Sequence, residues 1–241
     1  MRRSRLHLPT TAVLAACALA GCGSAPDSEL PPPAQPAKAP PLTEEPKGVI
    51  DPSTVHYEPA WKVDPDAPPV VEQDGPPATD PTLGPNQADA GDGRLRGTLD
   101  TRKRTLTVVD KRTGERQSVP AGVGPAQLVS EADRFYVTDA TGNGLLVFQT
   151  KPELRLTRRV ALPGTPFTIA ADNKEHDLYV VLSARNELVQ LPAHGQPFVR
   201  RRFKTVRGVH LMNAWNGTVL MRGTDQSQQL GPRDTQGEPQ G

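Results

Sequence analysis

Cysteine is almost absent from this chain of 241 residues. The two cysteines, Cys17 and Cys22, both lie near the N-terminus. The chain beyond residue 22 therefore has no disulfide framework, no cysteine-ligated metal site and no thiol nucleophile.

Aromatic residues are also scarce, at 4% of the chain, whereas prolines number 27. Much of such a chain cannot join a packed core. The net charge is only +1, but it is unevenly distributed. Residues 23–91 hold 12 acidic and 3 basic side chains, and residues 92–241 hold 15 acidic and 22 basic ones. An acidic segment thus precedes a basic one.

Motifs of catalysis are missing as well. The chain has no Gly-x-Ser-x-Gly elbow, Walker loop or dinucleotide fingerprint. Among His56, His176, His194 and His210, none lies at a metal-binding spacing from another histidine or a cysteine. The string Glu175-His176-Asp177 falls in a predicted turn. We therefore predict no catalytic residue, no metal ligand and no cofactor.

The longest apolar run near the N-terminus, Ala12–Ala20, is nine residues long. A helix of that length cannot cross about 30 Å of hydrocarbon. Because Arg2, Arg3 and Arg5 precede the run, residues 1–21 are predicted to be a signal peptide. The export route, general or twin-arginine, stays open.

The signal ends in Leu19-Ala20-Gly21-Cys22, which resembles the lipobox of bacterial lipoproteins. The resemblance implies that Cys22 carries diacylglycerol, becomes the first residue of the mature protein and holds it on the outer face of the cell membrane. Two acyl chains suffice for stable anchoring, whereas one is marginal. The alternative is an ordinary secretory signal with a chance cysteine.

Residues 22–91 are predicted to be a disordered tether. Residues 23–91 hold 17 prolines, which interrupt both helices and strand ladders. A polyproline-type chain of this length reaches on the order of 200 Å at most, enough to lift a domain into the cell wall. Tyr57 and Trp61 lie in its one apolar stretch and are either unstructured or anchors that dock on the basic domain.

A repeat of 39 to 43 residues follows the tether. Pro125-Ala126-Gln127-Leu128-Val129 recurs as Pro166-Phe167-Thr168-Ile169-Ala170, and Arg134–Thr138 recurs as Asp177–Val181. Each unit contains about four short strands joined by turns such as Gly142-Asn143-Gly144. This period, with four strands per unit, is typical of β-propeller blades.

Tyr136-Val137-Thr138 and Tyr179-Val180-Val181 resemble the YVTN family of propeller repeats. We therefore predict an all-β partial or small propeller over residues 92–230, with about three and a half blades, and a disordered tail at 231–241. Rings of this family usually have seven blades, which need about 300 residues. Tyr136 and Phe148 are predicted to pack in the core or between blades.

Basic residues cluster where the outermost strand of one blade is expected: Arg200, Arg202, Lys204 and Arg207. Arg155, Arg158 and Arg159 occupy the equivalent region one repeat earlier. The cluster is either a solvated edge that resists strand pairing or a patch for an anionic partner, such as a wall polymer, a lipid or the acidic tether itself.

Three functions are compatible with these features. The first is a lipid-anchored, non-enzymatic binding or scaffolding module outside the cell membrane. Its partner would be a cell-wall polymer or another protein, and nucleic acid is excluded for an exported protein. The second is a propeller hydrolase or lyase that uses Asp139 and Asp172, although both also suit turn positions. The third is a degenerate propeller that self-associates or docks on a membrane complex.

Overall fold

A computed structural model describes residues 30–50 and 86–236. The strands and the helix are, in chain order, β1 Val49–Ile50, β2 Gln87–Ala90, β3 Leu95–Asp100, β4 Thr105–Asp110, β5 Arg116–Pro120, β6 Pro125–Glu131, β7 Arg134–Asp139, β8 Gly144–Gln149, β9 Arg155–Ala161, β10 Pro166–Asp172, β11 Asp177–Leu182, β12 Glu187–Pro192, β13 Arg201–Lys204, β14 Leu211–Trp215, β15 Thr218–Arg222, β16 Ser227–Leu230 and α1 Pro232–Gln236.

The strands form four antiparallel sheets of four strands each. Blade 1 is β2-β3-β4-β5, blade 2 is β6-β7-β8-β9 and blade 3 is β10-β11-β12-β13. Each is a meander, because short turns join strands of alternating direction. Blade 4 has the order β14-β15-β16-β1, so its outermost strand comes from the N-terminal part of the chain.

Three apolar cores fill the spaces between neighbouring blades. Successive side chains of a strand point to opposite faces of the sheet. Phe135 of β7 accordingly packs between blades 1 and 2, and its neighbour Tyr136 packs between blades 2 and 3. Phe148 joins the first core, and Tyr179 lies in the third. All four aromatic side chains are fully buried, which confirms the predicted packing of Tyr136 and Phe148.

The inner strands lie side by side in the order β2, β6, β10, β14. Within the described ranges, β2 and β14, at the two ends of this row, form no extensive contact with each other. The blades therefore make an open arc, which confirms the predicted all-β partial propeller.

The blade count differs from the expected three and a half, because both end blades are complete. Blade 1 gains β2 and blade 4 gains β1, and both strands lie within residues 22–91, which we predicted to be a disordered tether. Blade 1 thus begins before the expected boundary at residue 92. Both strands are short, and β1 has only two residues, so their local patterns are too brief to detect beside so much proline.

The predicted disordered tail also begins with structure. Helix α1 occupies Pro232–Gln236, and the buried hydroxyl of Thr235 donates a hydrogen bond to the Gly217 carbonyl. The contact binds the start of the tail to the β14–β15 hairpin, and sequence periodicity cannot reveal such a contact for a single helical turn.

Candidate functional site

Residues 31–50, which we call the docked segment, lie along blades 3 and 4. The Ala37 N–H donates to the Ser183 hydroxyl at 3.0 Å, and the Asn186 side-chain amide donates to the Pro40 carbonyl at 2.8 Å. At the other end, the Gln228 amide donates to the Lys47 carbonyl at 2.7 Å. These contacts satisfy backbone groups of a segment that has only a two-residue strand of its own.

Gly48 allows the docked segment to enter blade 4. Its carbonyl accepts the Gln229 N–H at 2.8 Å, immediately before β1 pairs with β16. Its φ of +72° is a conformation that side chains of L-residues rarely adopt. A Cβ atom at this position would also overlap the Gln229 carbonyl. Glycine is therefore required at residue 48 for two independent reasons.

Carboxylates pair with most members of the basic cluster in and around β13. Arg200 lies 2.8 Å from Asp177 and Arg202 lies 2.8 Å from Glu187. Lys204 pairs with Glu44 of the docked segment, and Arg207 is exposed at the start of the next connection. Ion pairs this exposed contribute little stability. Glu44–Lys47 and β13 both line a groove of about 540 Å³.

Burial outweighs ion pairing in its effect on the pKa of Asp177. Its carboxylate accepts hydrogen bonds from Gln190 at 2.7 Å and from Arg200 at 2.8 Å. Burial nevertheless raises the pKa of Asp177 above its ordinary value.

Asp139 and Asp172, the acids of the enzyme hypothesis, bind backbone amides. The Asp139 carboxylate accepts the N–H groups of Gly124 at 2.8 Å and Gly142 at 3.0 Å. That of Asp172 accepts the N–H groups of Lys174 at 3.1 Å and Gly217 at 2.7 Å. Each begins a turn in the way that suits aspartate.

The two aspartates also lie at opposite ends of the blades. Asp139 ends the second strand of blade 2, whereas Asp172 ends the first strand of blade 3. Equivalent strands of neighbouring blades run the same way, so the two carboxylates are separated along the strand direction by about 20 Å, the length of six residues. They do not share a site.

A carboxylate and two histidines meet at the junction of blades 2 and 3. Glu131 Oε1 lies 2.7 Å from His176 Nδ1 and 3.2 Å from His194 Nε2. The two imidazole nitrogens are 3.3 Å apart, and the rings are tilted by 56°. Among the described residues, this is the one group of three or more potential ligand side chains close enough to hold a metal ion.

The topology explains why sequence spacing did not reveal this group, which we call the Glu–His–His cluster. Glu131 is the last residue of β6, His176 ends the β10–β11 turn and His194 follows β12. All three connections lie at the same end of the blades. The signal available in the sequence was the 45-residue separation of Glu131 from His176, close to one repeat.

A groove of about 480 Å³ lies beside the cluster, on the outer part of blade 2. Arg134, Arg155 and Arg158 line it, together with Gly195, the neighbour of His194. Tyr136 lies at its base and donates its hydroxyl to the Ala193 carbonyl at 2.6 Å. Burial raises the pKa of Tyr136, so the phenol remains a donor in the physiological pH range. The groove offers positive charge to an anionic group.

Several sequence predictions fall outside the described residues. These are the lipobox Leu19, Ala20, Gly21 and Cys22, and the docking candidates Tyr57 and Trp61. Across residues 30–50 and 86–236, no helix has the length and apolar character needed to cross a membrane.

Comparison with known proteins identifies the fold but no family. No protein-family model matches the chain, and no curated protein matches it. Among solved structures, the chain is similar to the dihydro-heme d1 dehydrogenase NirN, with 16% identity and a TM-score of 0.53, over 62% of this chain and 34% of that one.

A protein of unknown function from Desulfotomaculum acetoxidans is similar at 10% identity and a TM-score of 0.51, over 57% of this chain and 48% of that one. Virginiamycin B lyase from Staphylococcus aureus is similar at 15% identity and a TM-score of 0.47, over 59% of this chain and 50% of that one. The chain thus spans between a third and a half of the length of these structures. Identities this low establish the likeness of fold alone.

Proposed function

We propose that this protein is a lipid-anchored module on the outer face of a bacterial cell membrane, whose propeller arc binds a partner without catalysing a reaction. The observation that carries the proposal is the position of the docked segment. It begins at Pro31, nine residues after Cys22. Nine residues span at most about 32 Å when fully extended. A lipid on Cys22 would therefore hold blades 3 and 4 close to the bilayer.

This geometry revises the role expected for residues 22–91. A tether of on the order of 200 Å would carry the arc deep into the cell wall. Instead, hydrogen bonds at Ala37, Pro40 and Lys47 fix the chain to the blades near its start. Residues 51–85 then connect β1 of blade 4 with β2 of blade 1, and so do not lengthen the path to the membrane.

The non-enzymatic part of the proposal is supported by the two acids of the enzyme hypothesis. Asp139 and Asp172 are buried, bind backbone amides and lie at opposite ends of the blades. The arginine-lined groove of blade 2 instead favours an anionic partner, either a cell-wall polymer or an acidic protein surface.

The outer face of blade 1 does not favour self-association. The face of blade 1 that points away from blade 2 carries Asp89 paired with Arg96 and Lys111, and Thr107 hydrogen-bonded to Ser118. Polar outer faces of this kind cap the ends of repeat arrays. We therefore propose that the arc ends at blade 1 as a single copy.

The anchoring is tested by expressing the chain in a bacterial host and analysing membranes by fractionation and mass spectrometry. We expect a mature chain that begins at Cys22 and carries acyl chains, and we expect Cys22→Ala to leave the membrane fraction. Cys17→Ala, at a position five residues before Cys22, is the matched control and should stay anchored. An unacylated wild-type chain would contradict the proposal.

A further inference from the structure

We propose that Glu131, His176 and His194 form a binding site for a divalent transition-metal ion, with Zn²⁺ the ion that suits them best. Glu131 comes from blade 2, and both histidines come from blade 3. A bound ion would therefore join two blades that otherwise meet through an apolar core and backbone contacts.

Two of the three distances among the ligand atoms match those of a tetrahedral site. Zn²⁺ binds histidine nitrogen at about 2.0–2.1 Å and carboxylate oxygen at similar distances, so neighbouring ligand atoms of a tetrahedron lie about 3.3 Å apart. His194 Nε2 lies 3.3 Å from His176 Nδ1 and 3.2 Å from Glu131 Oε1. The third edge, from Glu131 Oε1 to His176 Nδ1, is shorter at 2.7 Å. Since the His176 side chain is 56% exposed, a small movement of its ring widens this edge.

The state of Glu131 is an independent indication of a ligand. Its side chain is only 2% exposed, and its Oε2 atom is buried without a hydrogen-bond partner among the described residues. A buried carboxylate oxygen without a donor is costly, and such groups are normally paired or coordinate metals. A cation held between Oε1 and the imidazoles would compensate the charge of this carboxylate.

The chemistry of the donors selects the ion. Two imidazoles and one carboxylate suit Zn²⁺, whereas Mg²⁺ and Ca²⁺ prefer oxygen ligands alone. Three protein ligands leave a fourth position for water or for an anionic group. Both histidines are about half exposed, so that position is accessible to solvent.

The site is tested with the full chain, in which Cys17 and Cys22 are replaced by serine so that no thiolate competes for metal. Isothermal titration of this metal-free protein with Zn²⁺ should give one saturable site. With Co²⁺, it should give the intense visible absorption of tetrahedral coordination. Zn²⁺ should also raise the Tm of the protein.

His176→Ala and His194→Ala should each weaken Zn²⁺ binding by about 100-fold or more, beyond the 10–100-fold loss caused by removing an outer partner of a metal ligand. Because both side chains are about half exposed, these variants keep the apolar core intact. His210→Ala removes an exposed histidine whose Nδ1 lies 3.2 Å from the Gly208 carbonyl, and it serves as the matched control with unchanged affinity.

Glu131→Gln should reduce affinity while the protein stays folded, because glutamine keeps the shape of the side chain. Absence of saturable binding would overturn the proposal and leave the cluster as a hydrogen-bonded group of one carboxylate and two imidazoles. Equal Zn²⁺ affinity in the wild type, His176→Ala and His194→Ala would overturn it as well. Loss of the lipid anchor would leave these results unaffected, so the two proposals fail separately.

Discussion

Gln228 of β16 donates a hydrogen bond of 2.7 Å to the carbonyl of Lys47, a residue 181 positions earlier in the chain. The same amide group donates to the Lys204 carbonyl at 2.9 Å, and its oxygen accepts the Val206 N–H at 3.1 Å. One fully buried side chain thus connects the docked segment, blade 3 and blade 4.

Gln228→Leu should lower the free energy of unfolding by about 3 kcal/mol, since it leaves buried polar groups without partners. Chemical denaturation measures the change. Gln229→Ala, at the exposed neighbouring position, is the control and should stay within about 0.5 kcal/mol of the wild type. Similar losses in both variants would show that the Gln228 contacts are not the cause.

Gly48→Ala should release the docked segment, because the substituted residue is strained at its φ of +72° and overlaps the Gln229 carbonyl. Gly114→Ala is the matched control. Gly114 has a φ of +75°, but a Cβ there meets nothing within 4 Å. Hydrogen exchange and limited proteolysis should show faster reaction of residues 31–50 in Gly48→Ala only. If the docked segment reacted equally fast in both variants, the cause would be strain at the positive φ and not overlap with the Gln229 carbonyl.

Acid should weaken blade 1. Hydrogen bonds from Arg94 lower the pKa of Asp110 well below its ordinary value of 3.8, and hydrogen bonds from Arg96 lower that of Asp89. A carboxyl group whose pKa is lower in the folded state contributes its full stabilisation above the unfolded value, and it loses this contribution as the pH falls toward the folded value. Stability should therefore decline below about pH 4.

The measurement is the free energy of unfolding as a function of pH, for the wild type and for Asp110→Asn. The variant should be less stable at neutral pH, and its stability should fall less steeply below pH 4. An acid dependence as steep as that of the wild type would assign the effect to other carboxylates.

Tyr136→Phe should cost only about 1 kcal/mol of stability. The lost hydroxyl donates to the Ala193 carbonyl at 2.6 Å, but Arg134 also donates to that carbonyl at 3.2 Å and would keep it paired. Tyr136→Ala should cost about 3–5 kcal/mol, because it also empties a fully buried position between blades 2 and 3. Thermal denaturation measures both losses of stability. Equal losses would contradict the expectation that the buried ring of Tyr136 contributes more stability than its hydroxyl group.

The repeats of this protein could be predicted from the sequence because each strand of blades 2 and 3 has its own apolar pattern. Pro125 and Pro166 begin equivalent inner strands, and Tyr136 and Tyr179 take equivalent places between blades. Burial on both faces of such strands produces near-continuous apolar runs, which a period of about 42 residues makes conspicuous.

The fourth strand of each end blade, β2 in blade 1 and β1 in blade 4, could not be predicted in this way. β1 pairs with a strand about 178 residues away and has two residues. Its place depends on partners such as Gln228 rather than on a local pattern. The Glu–His–His cluster was missed for the same reason, because Glu131 and His194 belong to different blades and meet only when the blades pack.

The distance between the arc and the bilayer shows whether the docked segment holds the blades near the membrane. Ala184 is exposed and adjoins Ser183, which binds Ala37 of the docked segment. In the lipid-anchored protein, Ala184→Cys would supply the one free thiol for a donor dye. The measurement is energy transfer from that dye to acceptor dyes on the lipid headgroups.

We expect efficient transfer in the wild type. A flexible insertion between Cys22 and Pro31 should lower the transfer, whereas the same insertion within residues 51–85 should leave it unchanged. Transfer that is absent in the wild type, or that responds equally to both insertions, would contradict the claim that the docked segment holds the arc near the membrane.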